Sequence, residues 1–314
     1  MTTNELQDRY DVVVVGGGAA GLNGALMLAR SRRTVVVIDA GAPRNAPAAA
    51  VHGMLGHDGT PPAKLLERGR AEVRAYGGEV ASGEVVAASR DGDGFTVALA
   101  DGRSVAARRL LVTTGLVDEL PDVDGLRARW GREVVHCPYC HGWEVRDQAI
   151  AVLGTSPMST HQALLFSQLS DDVLLLVHTS TPDDEQLVQL AARGIEIVVG
   201  PVAGLEIVED RLTGVRLTDG RVIPRDAVAV ATRMVARAGF LADLGLTPVP
   251  HVSGMGEHLV ADPLGRSEVP GVWLAGNVTD LSAQVMGAAA AGTMAGALAN
   301  ANLVMTDARE RMSA

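Results

Sequence analysis

Apolar positions in this chain gather into short β-branched runs separated by stretches with helical spacing. Residues 12–15 are four valines ending at Gly16, residues 22–30 repeat apolar side chains at helical intervals, and 34–38 form a second β-branched run. Apolar runs of strand length alternating with a helical period predict a βαβ unit. Residues 84–89 and 95–100, joined through Asp91-Gly92-Asp93-Gly94, predict a hairpin, and 110–113 a further strand. A second unit begins at Ala149, with a strand over 149–153, a helix over 161–169 and a strand over 173–177. Thr181 then offers an N-cap, Pro182 the first helical position and Asp183 and Asp184 an acidic first turn. Gly194 closes that helix before a strand over 195–199.

The hairpin of the first unit recurs. Val97, Leu99, Asp101, Gly102, Arg103, Val112 and Thr114 reappear, shifted by 118 positions, as Val215, Leu217, Asp219, Gly220, Arg221, Val230 and Thr232. Two unrelated Asp-Gly turns would explain the turn residues but not the matching strand residues, so we read an internal duplication of one dinucleotide-binding architecture.

Length and charge narrow the picture. At 314 residues the chain exceeds what one core comfortably serves, and 47% hydrophobic with 20% charged residues is a globular composition. A formal charge of -10, a pI near 5.3 and the lack of any Lys/Arg cluster argue against a nucleic-acid partner. The polar first residues, with Glu5, Asp8 and Asp11, do not read as an export signal, and no apolar stretch is long enough for a membrane span, so a cytoplasmic protein with no membrane partner is expected.

Chemistry concentrates in three places. Gly16, Gly18 and Gly21 form Gly-x-Gly-x-x-Gly between a strand and a helix, and Asp39 ends the next strand. Such glycines allow a tight turn and close approach of backbone to a pyrophosphate, the helix N-terminus supplies amides, and the acid suits ribose hydroxyls. Near the C-terminus, an apolar strand delivers Gly276-Asn277, followed by Gln284 and a small-residue helix over 285–298, a pattern suited to a flavin's ribityl chain and pyrimidine edge. Close packing of that helix explains it equally well when taken alone.

The third place is His136-Cys137-Pro138-Tyr139-Cys140-His141. Two cysteines at this spacing at a helix start can form a reversible disulfide, with one thiol made acidic. Haem attachment, a zinc site or inert thiols are alternatives; the first needs export and the second lacks another cysteine pair. In the redox reading His141 is the candidate acid/base, while His136 more simply packs. Tyr139 and Trp143 could wall a substrate pocket or belong to a core.

With a flavin fingerprint at both ends and Cys-x-x-Cys opening a middle nucleotide-type domain, the whole chain resembles the low-molecular-weight thioredoxin reductases. Pro43-Arg44-Asn45, Val51-His52-Gly53, Cys137-Pro-Tyr-Cys140-His141-Gly142 and Gly276-Asn277 look most like the dithiol oxidases of the gliotoxin and holomycin type. That resemblance implies an α/β thioredoxin reductase-like flavoprotein with two Rossmann-like three-layer domains. An FAD domain would comprise 1–117 plus 245–314, and an inserted NADPH-domain-like module with the cysteines 118–244. It further implies FAD as cofactor, a homodimer, and flavin contacts from Ala19, Ala40, Arg44, Asn45, His52, Thr114 and Val285 besides the residues above.

Departures from thioredoxin reductase set the expected function. His141 stands where an acid normally follows the second cysteine, and Asn277 replaces the aspartate of Gly-Asp. The middle domain's loop reads Gly154-Thr-Ser156-Pro157-Met-Ser159, with side chains and a proline where a pyrophosphate needs bare backbone, and His178-Thr179-Ser180 offers no ribose acid. A vestigial second nucleotide site leaves electrons to arrive from thiols. The expectation is FAD-dependent closure of a small natural-product dithiol to its disulfide, with dioxygen as acceptor and hydrogen peroxide as product. The alternatives are a protein-disulfide reductase fed by ferredoxin, another flavin donor or NADPH, and a flavin redox sensor without turnover.

Overall fold

A computed structural model describes residues 6–313 and divides them into two compact units. The first holds the residues up to Ala46, Met54–Val117, and Met234 onward; the second holds Pro47–Gly53 and Asp118–Arg233. The return to the first unit thus falls at Met234, where the sequence suggested about 245. The reason is packing: Ala236, Ala238, Leu241 and Leu246 all join the first unit's core.

In the first unit Arg9–Val15 lies between Val35–Asp39 and Ser104–Val112, parallel to both, and Glu79–Ser82 extends the sheet beyond Val35–Asp39. The strand Ser104–Val112 serves two partners: its start pairs antiparallel with Gly94–Leu99, and its end runs parallel to Val272–Leu274. Alternation divides the side chains between two cores. Val13, Val15, Val36, Ile38, Leu110 and Val112 pack on one face; Val12, Val14, Val35, Val37, Leu111 and Trp273 pack on the other. The second face is covered by Ala19–Arg30 and Val285–Ser313. Those helices touch backbone to backbone, because a Cβ at Gly296 would lie 2.5 Å from the Gly24 carbonyl oxygen and one at Gly24 3.0 Å from that of Gly292. The small-residue helix runs past the expected 298 to Ser313, where Asp307 meets Arg33 and Arg108.

The second unit repeats the plan with a fully parallel sheet in the order Glu196–Val199, Val173–Val177, Ile150–Gly154, Ala227–Val230, Val134–Val135. Its two faces bury Leu153, Leu174, Leu176, Val228 and Val230 on one side and Ile150, Val152, Val173, Leu175 and Ala229 on the other. The duplicated turns agree atom by atom. The Arg103 amide and Nε bond the Asp101 carboxylate at 3.1 and 2.9 Å; Arg221 and Asp219 do the same at 3.0 and 2.7 Å, and Gly102 and Gly220 both take φ near +90° (88° and 90°). One helix start differs from expectation. Asp183, not Thr181, caps Asp184–Ala192, its carboxylate accepting the Gln186 amide while the Gln186 side chain accepts the Asp183 amide. Among the described residues no helix is long and apolar enough to cross a membrane.

Candidate active site

The first glycine loop is shaped by contacts that only glycine permits. Gly16 has φ +103°, and a Cβ there would lie 2.6 Å from the Thr113 carbonyl oxygen; at Gly21 any Cβ would overlap the Gly16 carbonyl. Asp39 braces the turn by accepting the Gly17 amide at 3.1 Å, with Arg70 3.9 Å from its other oxygen. Gly18 is different. It is the N-cap of Ala19–Arg30, nothing lies within 4 Å of its Cβ position, and no side chain caps the helix. A helix start leaves its first amides unsatisfied, and here the space before them is open.

The C-terminal segment converges on this helix start. Gly276, at φ +79°, approaches so closely that a Cβ would lie 2.9 Å from the Ala20 Cβ. Asn277 donates its amide to the Asp280 and Ala283 carbonyls, both at 2.9 Å, and thereby shapes the turn before Val285; the Gln284 carbonyl accepts the helix's first bond, from Ala288. Ala40 is exposed just beyond Asp39, Arg44 and Asn45 are half-buried in the following loop, and Arg44 donates to the Leu281 carbonyl at 3.3 Å. Thr114 donates its hydroxyl to the Arg237 carbonyl at 2.6 Å. An open glycine cradle, an acid behind it and a second helix start beside it fit a flavin dinucleotide: the Gly16–Gly21 amides would take the pyrophosphate and Asp39 the ribose.

His52 belongs to a short segment of the second unit, Pro47–Gly53, anchored by Val51, which is buried, and by Pro47, which packs on Gly131. There His52 Nε2 lies 3.3 Å from Glu144 Oε1.

The same unit carries the cysteines. Cys137 is the N-cap of the single turn Pro138–His141, and its carbonyl accepts the amides of Cys140 and His141 at 3.2 and 3.1 Å. Both cysteines are half-buried. Gly142 lets the turn sit tightly, since a Cβ there would strike Leu169 and the Pro138 carbonyl. Gln162, 7% exposed, donates to the His136 carbonyl at 2.6 Å, and the His136 ring bonds the Val230 carbonyl at 3.0 Å, so His136 serves to position the turn. Burial pushes the His141 imidazole below the ordinary histidine value, against the pull of the Glu144 carboxylate; His52 and His136 add to the lowering. Its Nε2 is buried without a hydrogen-bond partner. Tyr139 and Trp143 are 68% and 65% exposed, which removes the core reading, and Arg146 stacks 4.2 Å over the Trp143 ring. Among the described residues no three His, Cys, Asp or Glu side chains gather as a metal site.

The second glycine-type loop is closed on itself. Ser159, 2% exposed, accepts the amides of Thr155 and Ser156 with its hydroxyl, at 3.1 and 3.3 Å, and donates it to the Leu153 carbonyl at 3.2 Å. Pro157 stands at the cap of Met158–Phe166, and the Gln186 side chain holds its carbonyl. After the next strand, His178 accepts the Val202 amide at 2.9 Å, and burial lowers its pKa. Sequence reasoning quoted Ser159 without this role and missed Glu144 and Gln162. The closeness of Glu144 to His141 in the sequence was a usable signal; nothing in the sequence pointed to Gln162.

A chain with two dinucleotide-type units, one with an open phosphate cradle and the other with a Cys-x-x-Cys at a helix start, is built as a thiol/disulfide oxidoreductase. Comparison with known proteins agrees. The pyridine nucleotide-disulphide oxidoreductase family model matches residues 10–295, and the chain belongs to that family, whose membership implies a flavin cofactor. It is 30% identical over 312 residues to "Thioredoxin reductase tcpT" of Claviceps purpurea (strain 20.1), covering 94% of each chain. It is 30% identical over 326 residues to "Thioredoxin reductase sirT" of Leptosphaeria maculans, covering 97% of this chain and 98% of the relative. The crystal structure of HlmI superposes with a TM-score of 0.92 at 45% identity, covering 98% of this chain and 96% of that one.

Proposed function

We propose that this enzyme is an FAD-dependent dithiol oxidase that closes a small-molecule dithiol, a natural-product precursor, to its intramolecular disulfide and delivers the electrons to dioxygen, releasing hydrogen peroxide. The observation that carries this reading is the contrast between the second unit's loop, where Ser159 takes up the Thr155 and Ser156 amides that a nicotinamide dinucleotide would use, and the first unit's open loop at Gly18, which suits FAD. Electrons then come from the thiol side. A substrate thiol gives its proton to His141 and, as thiolate, attacks Cys137 Sγ of the Cys137–Cys140 disulfide; that bond breaks and Cys140 leaves as thiolate. The second substrate thiol, deprotonated in turn, attacks its partner sulfur, and Cys137 departs as thiolate while the product disulfide closes. FAD supplies a two-electron acceptor that dioxygen can reoxidise. Arg44, Asn45, Ala40, Thr114, Gln284 and Val285 line the proposed flavin site with Gly16–Gly21, Asp39, Gly276 and Asn277.

A homodimer acting in the cytoplasm completes the reading. Met286, Met294 and Met305 are exposed on the C-terminal helix at intervals of about two and three turns, an apolar stripe that suits a second copy. The name thioredoxin reductase borne by two relatives favours one rival, reduction of a protein disulfide with electrons from NADPH. The test is a panel of small dithiols in air, followed by oxygen uptake and peroxide release. One peroxide per disulfide formed is the expected result; reduction of thioredoxin at NADPH's expense, with no dithiol yielding peroxide, would replace the oxidase by the reductase.

A further inference from the structure

The oxidase reading gives His141 two protons to remove per product, yet His141 Nε2 is buried and has no partner. A buried imidazole that accepts a proton must pass it on before the next turnover. The structure supplies a graded way out. Glu144 lies three residues beyond His141, in the turn that follows the short helix Pro138–His141. Its side chain is 43% exposed and faces His141 electrostatically. His52 Nε2 stands 3.3 Å from Glu144 Oε1, itself 24% exposed. The segment that carries His52 belongs to the second unit, and within it Val51 is buried.

We propose that Glu144, clamped by His52, is the proton outlet of His141 and sets the charge that His141 can carry. Glu144 and His52 are positioning residues, and His141 is the group that meets the thiol. The inference rests on the oxidase reading for its substrate. In the forward step the substrate S–H bond breaks, its proton goes to His141, and its electron pair remains as thiolate to attack Cys137. The imidazolium so formed is stabilised by the Glu144 carboxylate and loses its proton to water along it. His52, when protonated, competes for the same carboxylate. The charged or titratable groups facing His141 are therefore Glu144, His52 and His136, together with Cys137 and Cys140 of its own turn.

The two positioning residues should act in opposite directions, which a structural role would not do. Full-length flavoprotein, labelled in its histidine ring carbons, is titrated by NMR as wild type, Glu144→Gln and His52→Gln, with His141→Gln to assign the resonance. The His141 transition should move to lower pH in Glu144→Gln and to higher pH in His52→Gln. In parallel, anaerobic bleaching of the flavin by dithiothreitol is followed against pH. Glu144→Gln should slow it by about tenfold near neutrality, less than the roughly 10²–10⁴-fold that a direct acid–base group contributes because Glu144 acts only through His141, and Glu144→Asp should recover most of that. An unmoved His141 transition in both variants, or equal slowing with one common pH profile, overturns the proposal. If dithiothreitol and every other dithiol leave the wild-type flavin oxidised, the oxidase reading falls, while the ring titration still decides whether Glu144 and His52 govern His141.

Discussion

The two nucleotide-type loops leave equivalent strands and reach their helices through the same number of residues, yet they treat their backbone amides oppositely. In the first, the sixth position is Gly21, pressed against the Gly16 carbonyl, and the cap position Gly18 opens on empty space. In the second, the sixth position is Ser159, whose hydroxyl returns to the amides of Thr155 and Ser156. The lesson is that a phosphate site is a deficit of hydrogen bonds held open by glycine. One hydroxyl in the right place fills the deficit, and a ligand would have to displace bonds that each contribute about 0.5–1.5 kcal/mol. The duplicated Asp-Gly-Arg turns keep the same geometry in both units while the loops differ, so the scaffold and the loop vary independently.

The largest effect should come from separating the two units chemically. Cys137→Ser and Cys140→Ser are each expected to slow dithiol-driven bleaching of the flavin by about 10³-fold or more, measured by anaerobic stopped flow. Cys137→Ser alone should show a long-wavelength charge-transfer band from a Cys140 thiolate; the band appearing only in Cys140→Ser would exchange their roles.

Next, Gly18→Asp converts the open loop into a self-capped one. A carboxylate there caps the helix and repels the pyrophosphate, so FAD affinity should fall by about 10²–10³-fold in equilibrium dialysis. The apoprotein should melt no lower, since an aspartate cap is worth about a few tenths of a kcal/mol over glycine. Loss of fold instead of loss of flavin would remove the claim that this space belongs to the ligand.

The converse variant, Ser159→Ala, strips the second loop of its cap. Stability should drop by about 1–2 kcal/mol, seen as a melting point lower by about 2–8 °C, with flavin content unchanged. No NADPH response is expected, because Pro157 still offers no amide and no acid stands after the next strand to hold a ribose.

The smallest effect concerns pH. His141 has a folded pKa below its ordinary 6.5, so the unfolded chain binds the proton more readily. Its contribution to stability is whole above 6.5 and is lost as pH falls from there through the folded value. His141→Gln should therefore flatten the decline of the melting temperature below pH 6.5; an unchanged slope would mean that burial does not govern this ring.

Much of this was readable in advance because glycine patterns and β-branched runs act locally. The Gly16–Gly21 loop, the strand 12–15 and the duplicated turn follow from neighbouring residues alone. What escaped depends on tertiary contact. The helix Pro62–Ala75 buries only Pro62, Leu66 and Val73 among many charged residues, and the strand Gly256–His258 is only three residues long. The capping box at Asp183 overrode the Thr181-Pro182 signal through its pairing with Gln186. That Pro47 of the His52 segment packs on Gly131, and that His52 lies against Glu144, likewise require coordinates. Ser159 was legible as a departure from glycine, but its hydroxyl's return to Thr155 and Ser156 requires coordinates.

The central claim is that thiols, not a nicotinamide, feed this flavin. Anaerobic mixing of the purified yellow protein, first with excess NADPH and then with dithiothreitol, tests it directly through the visible absorbance. The account predicts an unchanged spectrum with NADPH and prompt bleaching with the dithiol; rapid bleaching by NADPH would contradict it.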